Sequence, residues 1–203
     1  MSRALTTEQR IKEAAKKVFI SKGLAGARMQ EIADEAQINK AMLHYYYRNK
    51  QQLFKNIFDE VIAEFAPKIM AILGEELSLE EKVNKFVGHY LDLLRANPFI
   101  PLFLFSELRN QPHEVVEKVG IKRGGVLKRL EKQLKKEAQA GRIKPITPIE
   151  FIANLVSLTV FPFLAQPMLG EIFGLKDKEF EGFIEQRKVT IPEFIMSAIN
   201  LKH

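Results

Sequence analysis

The chain has 203 residues, 46% of them hydrophobic and 28% charged, with a formal net charge of +6. That length holds one small and one larger domain with enough apolar material for real cores, and the absence of cysteine excludes disulfides and cysteine-ligated metal. No run approaches the ~20 uninterrupted apolar residues of a membrane span, and Met1 to Arg10 lacks the apolar core of a signal peptide, so a cytoplasmic protein is expected.

Thr6 with Gln9 three residues on forms a capping box, and Ile11, Ala14, Ala15, Val18 and Phe19 recur at helical spacing. A first helix is therefore expected from about Thr7 to Ser21, ending near Gly23. In the next stretch, RMQEIADEAQINKAMLHYYYRNK, Met29, Ile32, Ala33 and Ala36 give a second short helix one buried stripe. Gln37 and Ile38 break the period. Asn39 is a good N-cap for a third helix over Lys40 to Tyr47, because its short side chain accepts a bond from the first free backbone N–H groups. Leu43 and Tyr47 face inward four residues apart, which leaves Lys40, Ala41, His44, Tyr45 and Arg48 around the exposed arc and Tyr46 near its edge. Helix, turn, then a helix bearing lysine and aromatic hydroxyls is the pattern with which a helix-turn-helix enters the major groove. The charge agrees. Residues 1 to 50 hold ten Lys/Arg against five Asp/Glu, so nearly all of the excess lies here, the footprint of a polyanionic partner.

Lys50 opens a fourth helix with Leu53, Phe54, Ile57, Phe58, Val61, Ile62 and Phe65 as a wide apolar stripe, and Pro67 is expected to kink or end it. Ser78 with Glu81 caps a helix that runs to Arg95, before Asn97-Pro98. The run FIPLFLFSEL from Phe99 is apolar on all sides and predicts a short buried helix closed by Pro112. Residues His113 to Gln139 read as helical with an interruption near Gly124-Gly125, and Gly141 stops them. Thr147, Pro148 and Glu150 supply N-cap, first-turn proline and capping carboxylate together. The helix they open carries Phe151, Leu155, Val156 and Phe161. A Pro-, Gly- and Phe-rich loop is expected next, then a last helix over about Lys178 to Leu201. No strand pattern appears.

Around Arg28 to Lys50 the chain resembles the tetracycline-repressor (TetR/AcrR) family of bacterial transcriptional regulators. The resemblance rests on Gly26, Ile32-Ala33, Ile38 to Leu43, Tyr45 to Tyr47, and Lys50 followed by Leu53, and covers roughly residues 7 to 55. There are departures. Arg28 stands where the family has a capping Thr or Ser, and Gln37 occupies the turn glycine, where a Cβ makes positive φ costly. His44 replaces a tyrosine and Tyr47 a phenylalanine. The resemblance implies an all-α fold: a helix-turn-helix DNA-binding unit over residues 1–50, then a helical domain of five or six helices over residues 51–203 that holds an effector and dimerises. It also implies DNA contacts from Arg28, Gln30, Lys40, Ala41, His44, Tyr45, Tyr46 and Lys50.

Similar regulators dimerise through their last two long helices, here residues 148 to 164 and 178 to 201, which places Phe151, Leu155, Ile191, Phe194, Ile195 and Ala198 at the expected interface. Phe86, Tyr90, Phe99, Phe103, Phe105, Phe161, Phe163 and Phe173 would line an apolar cavity for a small hydrophobic effector, with His89, Glu107, Asn154 and Gln166 as polar handles. An enzyme is not expected: there is no Gly-rich phosphate loop, nucleophile elbow or HExxH, and the four histidines lack metal-ligand spacing, so neither metal nor cofactor is implied. The other reading is a helical lipid-binding or membrane-surface protein using Lys122, Arg123, Lys128, Arg129, Lys132, Lys135 and Lys136, a face that Glu131 and Glu137 interrupt.

Overall fold

A computed structural model describes residues 5–98, 100–110, 112–120 and 125–201. Among them are eleven α-helices and no strand: α1 (Thr7–Gly26), α2 (Met29–Glu35), α3 (Lys40–Tyr46), α4 (Lys50–Gly74), α5 (Leu79–Ala96), α6 (Ile100–Asn110), α7 (Pro112–Val119), α8 (Val126–Gln139), α9 (Pro148–Leu164), α10 (Gln166–Phe173) and α11 (Asp177–Ile199). The chain divides into two compact units, Met1–Glu64 and Phe65–His203. The division falls inside α4 rather than at residue 50, because the apolar stripe of its first half belongs to the core of the first unit.

In that first unit Ile11, Ala15, Phe19, Ile32, Ala33, Leu43, Leu53, Phe54, Ile57 and Phe58 are all buried, and Phe19 meets Phe54 edge-on at 4.7 Å between ring centres. Thr6 caps α1 with the reciprocal Gln9 bonds, and the helix breaks at Gly23, whose φ of 65° only glycine adopts cheaply. The tight turn after α2 depends on another left-handed residue. Gln37 has φ 55° and is the one non-glycine residue with positive φ among those described. Arg10 reaches over from α1 and donates to the carbonyls of Ala36 (2.6 Å) and Gln37 (3.0 Å), neutralising the free C-terminal acceptors of α2. Gln37→Gly is expected to stabilise the unit by about 1 kcal/mol, since it removes the Cβ penalty of the left-handed region. A melting temperature that falls on this substitution would contradict the strain.

In the second unit α5, α9 and α11 pack on one another. Val83, Phe86, Leu91, Leu94, Phe151, Leu155, Val160, Ile184, Ile191 and Ile195 are buried there. Each such side chain contributes roughly 1.5–3 kcal/mol relative to remaining exposed. Ser78 with Glu81 and Thr147 with Glu150 form the expected capping boxes. The end of α11 is pinned by an isolated bridge of Ile143 with Asn200, where Lys144 N–H donates to the Ile199 carbonyl at 2.7 Å.

Four expectations need correction. First, α4 continues through Pro67 to Gly74. The carbonyl that Pro67 leaves without its N–H is that of Ala63, an exposed residue within reach of water. Second, the expected loop after Leu164 is the helix α10, bent 65° from α9. Third, α6 is not buried all round: Leu102 and Phe105 are 64% and 52% exposed. Fourth, the second unit holds seven whole helices among its described residues, not five or six. No single helix among the described residues is long and apolar enough to cross a membrane.

Candidate nucleic-acid interface

The surface of α3 begins with its cap. Asn39 Oδ1 accepts from the Met42 backbone N–H at 2.7 Å, which sets the first turn and points Lys40 and Ala41 outward. Leu43 is fully buried and fixes the rotation of the helix, so His44 and Tyr45 emerge on the opposite side, with Tyr45 86% exposed. Tyr46 is partly exposed and meets Tyr45 edge-on at 5.6 Å. Met42, unremarked in the sequence because methionine at helical spacing reads as core, is 42% exposed on the same helix.

Tyr47 ends α3 and turns inward. Its hydroxyl donates to Glu8 at 3.1 Å, Glu8 pairs with Lys12 at 2.8 Å, and Lys12 also reaches Glu60. This chain of bonds ties α1, the end of α3 and α4 together. Hydrogen bonds from Lys12 and then Tyr47 hold the Glu8 carboxyl below its ordinary value. Burial opposes the charge on Lys12, but bonds to Glu60 and Glu8 outweigh it and raise its pKa. Burial pushes the Tyr47 phenol up to about 12. Tyr47→Phe keeps the ring and deletes the bond, so it should cost about 1 kcal/mol and lower Tm by a few degrees. A depressed carboxylate pKa gives stability that is present above its unfolded value and lost as pH falls through the folded one. The difference between wild type and Tyr47→Phe should therefore close below the ordinary Glu value of 4.5. Equal melting curves at pH 7 would remove the network's role.

The cations sort themselves. Lys16, Lys17 and Lys22 pair with Glu13, Glu35 and Glu31 at 2.8–3.0 Å, Lys12 is held as above, and Arg10 lies on carbonyls. Lys50, expected to contact DNA, donates instead to the carbonyls of Ala25 (2.8 Å) and Ala27 (3.0 Å). Those acceptors lie more than 20 positions back, where no local pattern would reveal them. Arg28, Lys40 and Arg48 are exposed and make no ion pair among the described residues. Glu31 accepts from the Arg28 backbone N–H at 3.3 Å, so it caps α2 where the Arg28 side chain does not. Gln30 donates to Asp34 at 2.8 Å, which leaves its carbonyl oxygen free to reach out. Asn49 Oδ1 accepts from Gln52 N–H at 2.8 Å and caps α4.

Residues 11–57 match the family model described as bacterial regulatory proteins, tetR family. That segment, the helix-turn-helix with the helices on either side of it, is a TetR-family segment. It is 32% identical over 101 residues to the HTH-type transcriptional repressor SCO4008 of Streptomyces coelicolor, a match covering 50% of this chain and 49% of that protein. The chain thus spans about half the length of that relative. It is 22% identical over 148 residues to the fatty acid metabolism regulator protein of Bacillus subtilis, covering 73% of this chain and 76% of the regulator. The fold also resembles the crystal structure of FadR from Bacillus subtilis in complex with stearoyl-CoA, with a TM-score of 0.61, 19% identity, and coverage of 94% and 98%.

The second unit changes two expectations. Phe151, Leu155, Ile191 and Ile195 lie at 0–3% exposure inside the protomer, and of the expected interface residues only Phe194 and Ala198 are on the surface. The outward faces are instead Ile149, Ala153, Ser157 and Phe161 on α9 and Phe194, Ser197 and Ala198 on α11. The expected effector residues are scattered in burial. Phe86 is in the core and stacks on Tyr90 at 5.3 Å, with burial raising the Tyr90 phenol to about 12. His89, Asn154 and Phe161 are exposed and Gln166 is half-buried. Phe99 and the side chains of Phe103 and Glu107 lie outside the described residues. Two shallow depressions are present: one of about 200 Å³ beside Lys68, Ile69, His89, Asp92 and Leu93, and one of about 250 Å³ between α5 and α11. The membrane-surface reading finds no support on α8, where Val126, Leu130 and Leu134 are buried rather than turned to a bilayer; Lys122 and Arg123 lie outside the described residues.

Proposed function

We propose that the chain is a ligand-responsive repressor that binds a pseudo-palindromic operator as a two-fold homodimer in the cytoplasm. The observation that carries this reading is the location of unpaired charge. Lys40 lies on α3, Arg48 just beyond its end and Arg28 at the start of α2, while the other described cations of residues 1–50 are held by carboxylates or carbonyls. In the proposed complex Lys40, Ala41, His44 and Tyr45 meet base edges with Gln30 beside them, and Arg28, Tyr46 and Arg48 hold phosphates. Dimerisation through the outward faces of α9 and α11 would set two copies of α3 one helical turn apart, roughly 34 Å.

The test is selection from a random duplex library by the full-length protein, followed by fluorescence anisotropy. Enrichment of a two-fold sequence, bound with an affinity that falls as salt rises, is the expected result. Binding without sequence preference at any salt would overturn the reading.

The effector is assigned to the second unit, and α4 is the element that runs through both. Because a structural neighbour holds stearoyl-CoA, a long-chain acyl-CoA is the first class to assay. A coupling of about 1–3 kcal/mol would weaken operator binding 5- to 150-fold, and operator would weaken effector binding by the same factor. A ligand that binds tightly and leaves both affinities unchanged would be no effector.

A further inference from the structure

His44 is exposed, and its Nδ1 lies 3.1 Å from the backbone carbonyl of Arg48. A carbonyl oxygen has only lone pairs to offer, so the ring nitrogen facing it must carry the proton. In a neutral imidazole this choice fixes the other nitrogen: Nε2 has no hydrogen and can only accept. Arg48 lies just past the C-terminus of α3, where the chain has left the helix and its carbonyl has no helical N–H partner. The backbone thus sets the tautomer, and the ring geometry puts the acceptor on the side away from that carbonyl.

An acceptor in the major groove discriminates sharply. Guanine presents N7 and O6, both acceptors, and thymine presents O4 and a methyl group, so neither can donate to Nε2. Cytosine N4 and adenine N6 do donate, but in adenine the acceptor N7 lies beside N6 and repels a lone pair brought close. Cytosine has no such neighbour. We infer that His44 is a specificity-determining residue that reads an exocyclic amino group, cytosine before adenine, through an Nε2 acceptor held in that state by the Arg48 carbonyl. The inference rests on the DNA-binding reading above and adds the identity of the base to it.

The experiment runs the library selection on wild type, His44→Ala and His44→Lys in parallel, and records long-range ¹H–¹⁵N correlations of the free full-length protein. The spectrum should show His44 protonated at Nδ1. Wild type should enrich cytosine in each half-site at one position, about fivefold or more over guanine. His44→Ala should flatten that position alone, and His44→Lys, which can only donate, should turn it to guanine. Because the side chain is exposed, both variants should melt like wild type. An Nε2–H tautomer, guanine or thymine at the affected position in wild type, or a profile unchanged in His44→Ala would each overturn the inference and leave DNA binding intact. No enriched sequence with any of the three proteins would overturn the DNA-binding reading itself, and the inference with it.

Discussion

Replacing Phe194 by Glu should convert the protein from dimer to monomer while leaving each protomer folded. Phe194 is 63% exposed on α11, so the substitution disturbs little within the protomer. In a two-fold interface the change occurs twice, and each copy loses an aromatic anchor worth about 2 kcal/mol and buries an unpaired carboxylate. Together these losses exceed about 4 kcal/mol, roughly a thousandfold in dimer dissociation constant. Operator affinity should collapse with it, because a single α3 retains half of the contacts. Sedimentation equilibrium reads the first effect and anisotropy the second. A Phe194→Glu protein that sediments as wild type would move the interface elsewhere, with Phe161, 55% exposed on α9, the next side chain to test.

The second large effect separates Lys40 from Arg48. Lys40 projects from the first turn of α3, the part of a recognition helix that meets base edges, so Lys40→Ala should cost about 1–3 kcal/mol on the selected operator and relax preference at one base position. Arg48 lies beyond the helix, where phosphates pass. Arg48→Ala should therefore weaken specific and random duplexes alike and reduce the slope of log K against log salt by about 1. Equal losses on specific and random DNA for both variants would refute the division. Lys50→Ala should behave unlike either: with its ammonium on the carbonyls of Ala25 and Ala27, it should lower Tm before it alters any salt slope.

How much of this was legible in the sequence depended on how local the cause was. The caps at Thr6, Asn39, Ser78 and Thr147 were readable because donor and acceptor lie three residues apart. The left-handed Gln37 was readable from the turn glycine it replaces in the family pattern. What periodicity supplies is a stripe, not the partner that covers it. Phe151 and Ile195 were expected on an outer interface, yet α5 and the facing helix cover them within one protomer. The α10 helix escaped notice because Pro167, Gly170 and Gly174 read as loop punctuation, although Pro167 sits in the first turn, where a missing N–H costs nothing. The contacts of Arg10, Lys50 and Tyr47 join residues 20 to 40 positions apart, a distance at which a single sequence carries no signal.

One such long-range contact constrains how the chain can change over time. Pro162 sits inside α9 and withholds the N–H that the Leu158 carbonyl would take four residues earlier. Arg187, from α11, fills the vacancy with an N–H from its guanidinium at 2.9 Å, while its Nε is buried without a hydrogen-bond partner. Burial alone lowers the Arg187 pKa, a sign that the charge is tolerated there rather than welcomed. Each residue makes the other necessary. Losing Arg187 first strands a carbonyl, and restoring an N–H at position 162 first contests the carbonyl of a half-buried cation that otherwise rests on the Phe183 ring, 5.9 Å away. Neither order of single steps is free, so the two positions should drift as a pair or not at all. The two helices whose outward faces are proposed for dimerisation are thereby locked to each other by a defect that one of them contains and the other repairs.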